Sequence, residues 1–163
     1  MAFPMEQQQE QEWCWNAIAV STEHYFKPNS TLTQKALAEQ ELVGDLDQPF
    51  FVQDALKDLG LLSGSTRTSL SFADIQKQLD QNLPVCAHIQ WVGSDLSHYV
   101  LITGYRISPG GTPLVSVSDP ILQDGNVWTW DYDAFVLAYS PKYAPFAEGT
   151  WVESFLVQPP PVK

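Results

Sequence analysis

The chain has 163 residues, of which 44% are hydrophobic and 17% are charged, a length and composition that fit one globular domain and exclude a disordered chain. Eight basic against 19 acidic residues give a net charge of −11, which argues against DNA, RNA and anionic membrane surfaces as partners, since each needs a cationic face. Two cysteines do not make a disulfide-rich scaffold, and no apolar run approaches the roughly 18 residues of a membrane span.

Helical patterns come first along the chain and strand patterns follow, which predicts an α+β protein, organised as a single domain over 1–163. A mainly helical lobe over 1–82 is expected to contain helices at about 14–26, 33–42, 51–59 and 71–81. A mainly β lobe over 83–157 is expected to contain strands at about 85–92, 99–107, 114–117, 127–132 and 150–157 and a short helix at about 133–139. The first four strands are separated by turn sequences at 93–95, 109–111 and 124–126.

Two further expectations concern the β lobe and the end of the chain. The run 99–103 does not alternate between apolar and polar residues, so its strand should be central and covered on both faces. The proline-rich segment 158–163 should form an extended, mobile tail.

Cys14 is the first candidate for chemistry, because it stands where a glutamine-rich segment gives way to a helical pattern. A thiol in the first turn of a helix lies at the positive end of the helix dipole, which favours the nucleophilic thiolate. The alternative is a buried structural cysteine, since unpaired cysteine is among the most buried residue types. Cys86 lies in an apolar strand pattern, and we interpret it as a core residue that does not pair with Cys14.

Three histidines compete for the role of general base. His24 is ten residues from Cys14 and therefore about 15 Å away along a helix, too far for contact, and we expect it to face solvent. His88 lies in the middle of a predicted strand, whereas His98 opens the most apolar strand directly after a polar loop. A histidine at the mouth of a strand is held rigidly and still reaches a cleft, so we favour His98 over His88.

Asp119 is predicted to lie close to His98, because strands 99–107 and 114–117 should form an antiparallel hairpin. The two residues flank this hairpin almost symmetrically, and side chains that face each other on such strands are about 5 Å apart. A carboxylate in this position orients the imidazole and favours its protonated form. The alternative is that Asp119 and Pro120 simply form a turn.

An oxyanion hole needs hydrogen-bond donors aimed at the developing negative charge. The backbone N–H of Cys14 is one candidate, and an upstream glutamine amide is another. Spacing alone does not choose among Gln7, Gln8, Gln9 and Gln11. The chain has no zinc, calcium or phosphate-loop pattern, so we expect neither a metal nor a cofactor.

These features together resemble the compact bacterial branch of the papain-like cysteine proteases. The resemblance is carried by Trp13-Cys14-Trp15-Asn16-Ala17 at the start of a helix, by the run 97–105 and by Asp119-Pro120. The sequence is similar to avirulence-type effector proteases that are injected into plant cells, and more distantly to staphopains and bacteriocin-leader peptidases. The interval from Cys14 to His98 is shorter than the roughly 130–150 residues of the lysosomal enzymes, so their long substrate-binding elaborations are missing.

The resemblance implies a helical lobe packed on an antiparallel sheet, with an active site between them. It implies Cys14 as the nucleophile, His98 as the general base and then acid, and Asp119 as the residue that orients the imidazole. In papain-like enzymes the oxyanion glutamine stands about six places before the cysteine, which selects Gln8. No inhibitory pro-segment is visible before Cys14, which leaves three expectations. The enzyme is made in an active form, its activity is controlled by its location or by a partner protein, or the chain is a domain cut from a larger one.

We therefore expect a cysteine endopeptidase, acting as a monomer on protein or peptide substrates, with an effector or toxin role and a proteinaceous inhibitor or immunity protein as further hypotheses. Two alternatives stay open: a glutamine deamidase or transpeptidase with the same three groups, and a papain-like binding module that has lost catalysis. The first 12 residues have no basic start and no apolar core, so no secretory signal is predicted. The protein is expected in the cytoplasm of its producer or exported by a specialised route.

Overall fold

The computed structural model describes residues 2–122, 127–143 and 148–162. The helices in these ranges are α1 (Cys14–Phe26), α2 (Gln34–Glu41), α3 (Val52–Asp58), α4 (Phe72–Asp80) and α5 (Tyr132–Ala138). The strands are β1 (Leu62–Thr66), β2 (Val85–Trp91), β3 (Ser97–Ile107), β4 (Pro113–Ser118), β5 (Val127–Asp131) and β6 (Gly149–Val157). None of the described helices combines the length and the apolar character that crossing a bilayer requires.

The six strands form one sheet in the order β1-β6-β2-β3-β4-β5, and every neighbouring pair is antiparallel. The predicted α+β class with an antiparallel sheet is confirmed. The second predicted strand, β3, lies between β2 and β4 and is central as expected. Its hairpin with β4 is also present, with Leu101 facing Ser118. The turn expected at 124–126 lies outside the described residues.

Strand β1 was not predicted, and its omission is the main error in the sequence-based assignment. The segment 62–66 is rich in serine and glycine and shows no strong strand pattern. It becomes a strand because it pairs with β6, where Ser65 faces Phe155. The first half of the chain therefore contributes one edge of the sheet and is not purely helical.

Helices cover both faces of the sheet. Because neighbouring strand residues point to opposite faces, Cys86 and Leu101 join one apolar cluster, with α1, α2 and α3, whereas Val85 and Val100 join the other. The second cluster contains Ile75 of α4 and residues of α5. Helix α4 thus lies on the opposite face from the three helices that precede it, although the sequence pattern grouped all four together.

The end of the chain lies beside the turn that joins α3 to β1. The backbone N–H of Gln158 donates to the carbonyl of Leu61 at 2.8 Å. A Cβ atom placed on Gly60 would lie 3.3 Å from Cδ of Pro161, so the proline-rich segment runs close to this turn. The mobility expected for 158–163 stays a prediction.

Candidate active site

Cys14 is the first residue of α1, and its side chain is partly exposed, whereas the helix behind it, from Trp15 to Glu23, is buried. The residue before it, Trp13, makes no capping hydrogen bond with its side chain. The first N–H groups of the helix are therefore not covered by a side chain, and the positive end of the helix dipole is directed at the position of the thiol.

His98 lies beside Cys14 and is held by Asp119. Its Nε2 atom is 2.8 Å from Oδ1 of Asp119, and only 4% of the residue is exposed. His98 and Cys14 line the same cavity, and Cys14 is close enough to raise the pKa of the ring. Because Asp119 occupies Nε2, Nδ1 is the nitrogen left to exchange a proton with the thiol.

The electrostatics of the pair favour an ionised imidazole. Burial by itself lowers the pKa of His98, but the charge and the hydrogen bond of Asp119 outweigh it and raise the pKa to about 10. Burial raises the pKa of Asp119, yet the charge and hydrogen bonds of its surroundings, His98 foremost, lower it overall. At neutral pH the site therefore holds a buried imidazolium paired with a carboxylate.

Asp119 is 2% exposed and has four hydrogen-bond donors around it. Besides His98, Oδ1 accepts from the backbone N–H of Ile121 at 3.0 Å. Oδ2 accepts from the hydroxyl of Tyr139 at 2.7 Å and from the hydroxyl of Tyr143. A buried carboxylate stays ionised only when such donors replace its lost hydration. Neither tyrosine was predicted, since no local pattern in the sequence links them to Asp119.

The ring of His98 is also fixed by aromatic neighbours. Trp91, the last residue of β2, stacks on it with the ring centroids 6.2 Å apart and the planes 14° from parallel. Tyr139 lies near Trp91 in a similar orientation, with the centroids 6.4 Å apart, and Tyr143 meets His98 edge-on. Rotation of the imidazole away from Asp119 is therefore blocked by packing as well as by hydrogen bonding.

Gln8 is the glutamine whose placement fits an oxyanion donor. Gln8 and Gln11 both line the same cavity as Cys14, but Gln8 is half-buried, whereas Gln11, like Gln7 and Gln9, is exposed. Nε2 of Gln8 donates to the carbonyl of Gln11 at 2.7 Å and to that of Glu10 at 3.0 Å. The amide is thus held near the thiol, but it must release one of these bonds before it donates to an oxyanion.

Two cavities meet at Cys14. The smaller, of about 310 Å³, includes Gln8, Trp91, Leu96, His98 and Tyr143. The larger, of about 410 Å³, is mostly apolar, with walls formed by Trp15, Pro49, Phe50, Phe51, His88 and Tyr99. Glu12 and Ser97 line both, so the two cavities form one cleft that passes over the thiol and is able to hold a chain on both sides of it.

The remaining candidates have other environments. Cys86 is fully buried in the core, is not disulfide-bonded, and has a pKa raised well above its usual value by burial. Burial also lowers the pKa of His88, which lies 3.2 Å from a Glu153 oxygen. The expectation that His24 faces solvent is wrong, because its ring contacts Glu6 and the carbonyl of Leu32 and is only partly exposed. Within the described ranges, no cluster of three or more His, Cys, Asp or Glu residues is arranged to hold a metal ion.

Comparison with known proteins identifies the fold. A solved structure of the Amb a 11 cysteine protease, a major ragweed pollen allergen in its proform, is similar to this chain with a TM-score of 0.55 and 13% sequence identity. The match covers 100% of this chain and 62% of the other, so the protein has the papain-like cysteine protease fold but spans less than two thirds of that proform. A search of curated proteins found no matching sequence.

The family is shown by the sequence itself. Residues 1–146 match the model of the Peptidase_C39 like family, and the chain belongs to that family. The chain thus combines a peptidase-like family with the papain-like cysteine protease fold. The narrower resemblance to bacterial effector proteases stays a prediction.

Proposed function

We propose that the protein is a cysteine endopeptidase in which Cys14 is the nucleophile and His98 transfers the protons. Asp119 orients the imidazole and favours its protonated form. The observation that carries the proposal is that Cys14 and His98 line one cavity while Asp119, buried behind the ring, lies 2.8 Å from its Nε2. All three come from a single chain, and no metal or cofactor is needed for the chemistry.

In the first step, the Cys14 thiolate attacks the carbonyl carbon of a peptide bond, and the π electrons of the carbonyl move onto its oxygen. The oxygen becomes an oxyanion, which the backbone N–H of Cys14 and the positive end of α1 stabilise. Gln8 supplies the second donor. Of its two main-chain bonds, the longer one, to Glu10, is the easier to exchange for a bond to the oxyanion.

In the second step, the imidazolium of His98 gives its proton to the leaving nitrogen, the C–N bond breaks and a thioester to Cys14 remains. The neutral imidazole then takes a proton from a water molecule, which attacks the thioester and forms a carboxylic acid. The sulfur leaves as a thiolate, and His98 is again protonated. Asp119 keeps its charge throughout, which favours the imidazolium at the start and the end of the cycle.

The cleft suggests how a substrate lies on the enzyme. A peptide that crosses Cys14 places one side chain in the apolar cavity of about 410 Å³, against Phe50, Phe51 and Tyr99. A cavity with these walls favours an apolar side chain next to the scissile bond, because burying that side chain removes apolar surface from water.

The proposal is tested with a peptide inhibitor that alkylates thiolates, followed by mass-spectrometric mapping of the modified cysteine. We expect modification of Cys14 and none of Cys86 in the native protein, and no modification in the Cys14→Ser variant. Equal labelling of both cysteines, or no labelling of the native protein, would contradict the proposal.

Intact-mass analysis of candidate substrates separates the three related reactions. Fragments that appear with the unaltered protein and not with Cys14→Ala indicate hydrolysis of the chain. A gain of about one mass unit without cleavage indicates glutamine deamidation, and a larger adduct indicates transpeptidation; either result would replace the endopeptidase proposal.

A further inference from the structure

Gln34, the first residue of α2, is polar and yet fully buried. Its side-chain amide has three hydrogen bonds, all to the segment before α1. Nε2 donates to Oε2 of Glu6 at 3.0 Å and to the carbonyl of Gln7 at 2.9 Å, and Oε1 accepts from the backbone N–H of Gln9 at 3.1 Å. Both amide hydrogens and the carbonyl oxygen are thereby used.

The two main-chain partners of Gln34 are the residues on either side of Gln8. The side-chain amide acts here as the peptide group of a neighbouring strand would, fixing the carbonyl of Gln7 and the N–H of Gln9. The N–H of Gln8 itself donates to the carbonyl of Pro120 at 2.8 Å, directly after Asp119. The tripeptide 7–9 is therefore held by Gln34 of α2 on one side and by Pro120, which follows β4, on the other.

Further polar contacts keep Gln34 and this segment in place. Nδ2 of Asn16, on α1, donates to the backbone carbonyl of Gln34 at 2.8 Å. The backbone N–H of Glu6 donates to Oγ of Ser21 at 2.9 Å, and its carboxylate lies 3.0 Å from Nδ1 of His24. The hydrogen bonds of Gln34 are thus part of a network that joins α1, α2 and the segment that carries Gln8.

We propose that Gln34 is a positioning residue for the oxyanion hole, acting through Gln8. This inference rests on the proposed function, since it concerns how the same site stabilises the oxyanion. Gln34 does not contact the cleft; it fixes the backbone from which the Gln8 side chain extends. A donor must lie within about 2.7–3.1 Å of the oxyanion, and a misplacement of about 1 Å is able to cost roughly 100-fold in rate.

The test compares four variants. Gln34→Met keeps the length of the side chain but removes the amide, and Gln34→Glu keeps an acceptor but loses both donors. The other two are Gln8→Ala and the double variant Gln8→Ala with Gln34→Met. Gln40→Met is the matched control, because Gln40 is exposed on the same helix. For each, kcat and KM are measured on a cleaved peptide, together with the rate at which iodoacetamide alkylates Cys14. Alkylation needs the thiolate and His98 but no oxyanion hole, so it reports whether the rest of the site is folded.

We expect Gln34→Met to lower kcat by about 10- to 100-fold, short of the roughly 100- to 1,000-fold loss typical of deleting a donor. KM and the alkylation rate should stay within about twofold, because the lost interaction forms only in the transition state. The double variant should be no slower than Gln8→Ala alone, and Gln40→Met should match the unaltered protein. If Gln34→Met does not fold, Gln34→Asn provides the same comparison, because it keeps an amide but shortens its reach to the segment before α1.

Two results would overturn the inference. One is a general structural role of Gln34. It would appear as an equally large loss of kcat when Gln34 is replaced in the unaltered protein and in the Gln8→Ala variant, or as a matching loss in the rate of Cys14 alkylation. The other is full activity of the Gln8→Ala variant, which leaves nothing for Gln34 to position. Failure of the proposed function is distinguishable, because the unaltered protein would then show no cleavage or no preferential labelling of Cys14.

Discussion

Replacing Asp119 with asparagine tests the central electrostatic feature of the site. The substitution keeps the size of the side chain and an oxygen for the hydrogen bond to His98, but it removes the negative charge. Burial lowers the pKa of His98, and in the native protein the Asp119 carboxylate outweighs this effect and raises the pKa to about 10. In the variant burial lowers the pKa and only the smaller effect of Cys14 opposes it, so the pKa should fall towards the ordinary value of about 6.5.

This change is a fall of about three pH units, equivalent to roughly 4 kcal/mol of lost stabilisation of the imidazolium. In the proposed mechanism the imidazolium is the acid that protonates the leaving nitrogen, so the alkaline limit of activity should follow its pKa. We expect the unaltered protein to keep its kcat/KM into the alkaline range and Asp119→Asn to lose it above about pH 6.5.

The assay is kcat/KM for a cleaved peptide between pH 4 and pH 10, with Asp133→Asn as the control because Asp133 is exposed on α5. The control should have the profile of the unaltered protein. An Asp119→Asn profile with an unchanged alkaline limit would refute the argument that this carboxylate sets the protonation of His98.

The same pair makes the free energy of unfolding depend on pH. The pKa of His98 is raised in the folded protein, so its contribution is complete below about 6.5 and is lost as the pH rises through about 10. The pKa of Asp119 is lowered, so its contribution is complete above about 4 and is lost as the pH falls through the native value. Urea denaturation should show a decline between pH 7 and pH 10 that is much weaker in Asp119→Asn; an equal decline in both would contradict this assignment.

Three further substitutions have distinct expected outcomes. Tyr143→Phe removes one hydroxyl from the Asp119 carboxylate and should lower the free energy of unfolding by about 1–3 kcal/mol at neutral pH, measured by urea denaturation; an unchanged value would show that this bond adds nothing. Cys86→Ala should cost about 1 kcal/mol and leave kcat/KM unaltered, since the residue is sealed in the core; lost activity would bring Cys86 into the mechanism. Gly149→Ala would place a methyl group against Ile89 and 2.8 Å from Trp91, which stacks on His98, so the free energy of unfolding and kcat should both fall; unchanged values of both would show that this packing tolerates a side chain.

Local signals in the sequence predicted the parts of the fold that depend on neighbouring residues. A helix was expected at about 71–81, and α4 does follow Ser71, whose side chain accepts from the N–H of Asp74. The short loop between β3 and β4 predicted a hairpin, and from the hairpin followed the nearness of His98 and Asp119, whose side chains are 2.8 Å apart. Such features are readable because capping, periodicity and short turns involve residues that are close along the chain.

Strand β1 is an element that local sequence patterns do not predict. Its serine- and glycine-rich sequence has little intrinsic preference for a strand, and it is extended because it pairs with β6 at the edge of the sheet. The partner lies some 90 residues further along the chain, as in the pair Ser65 and Phe155, so no window around the segment contains the cause.

The sequence by itself determined that a cysteine at a helix start, a histidine at a strand mouth and an acid after the next strand were available for catalysis. Only the tertiary structure decided how they are supported: Tyr139 and Tyr143, which follow α5 along the chain, donate to Asp119, and Gln34 of α2 binds the segment around Gln8. These contacts join residues far apart along the chain. Each is imposed by the need of a buried polar group for a partner, and that need arises only once the chain has folded.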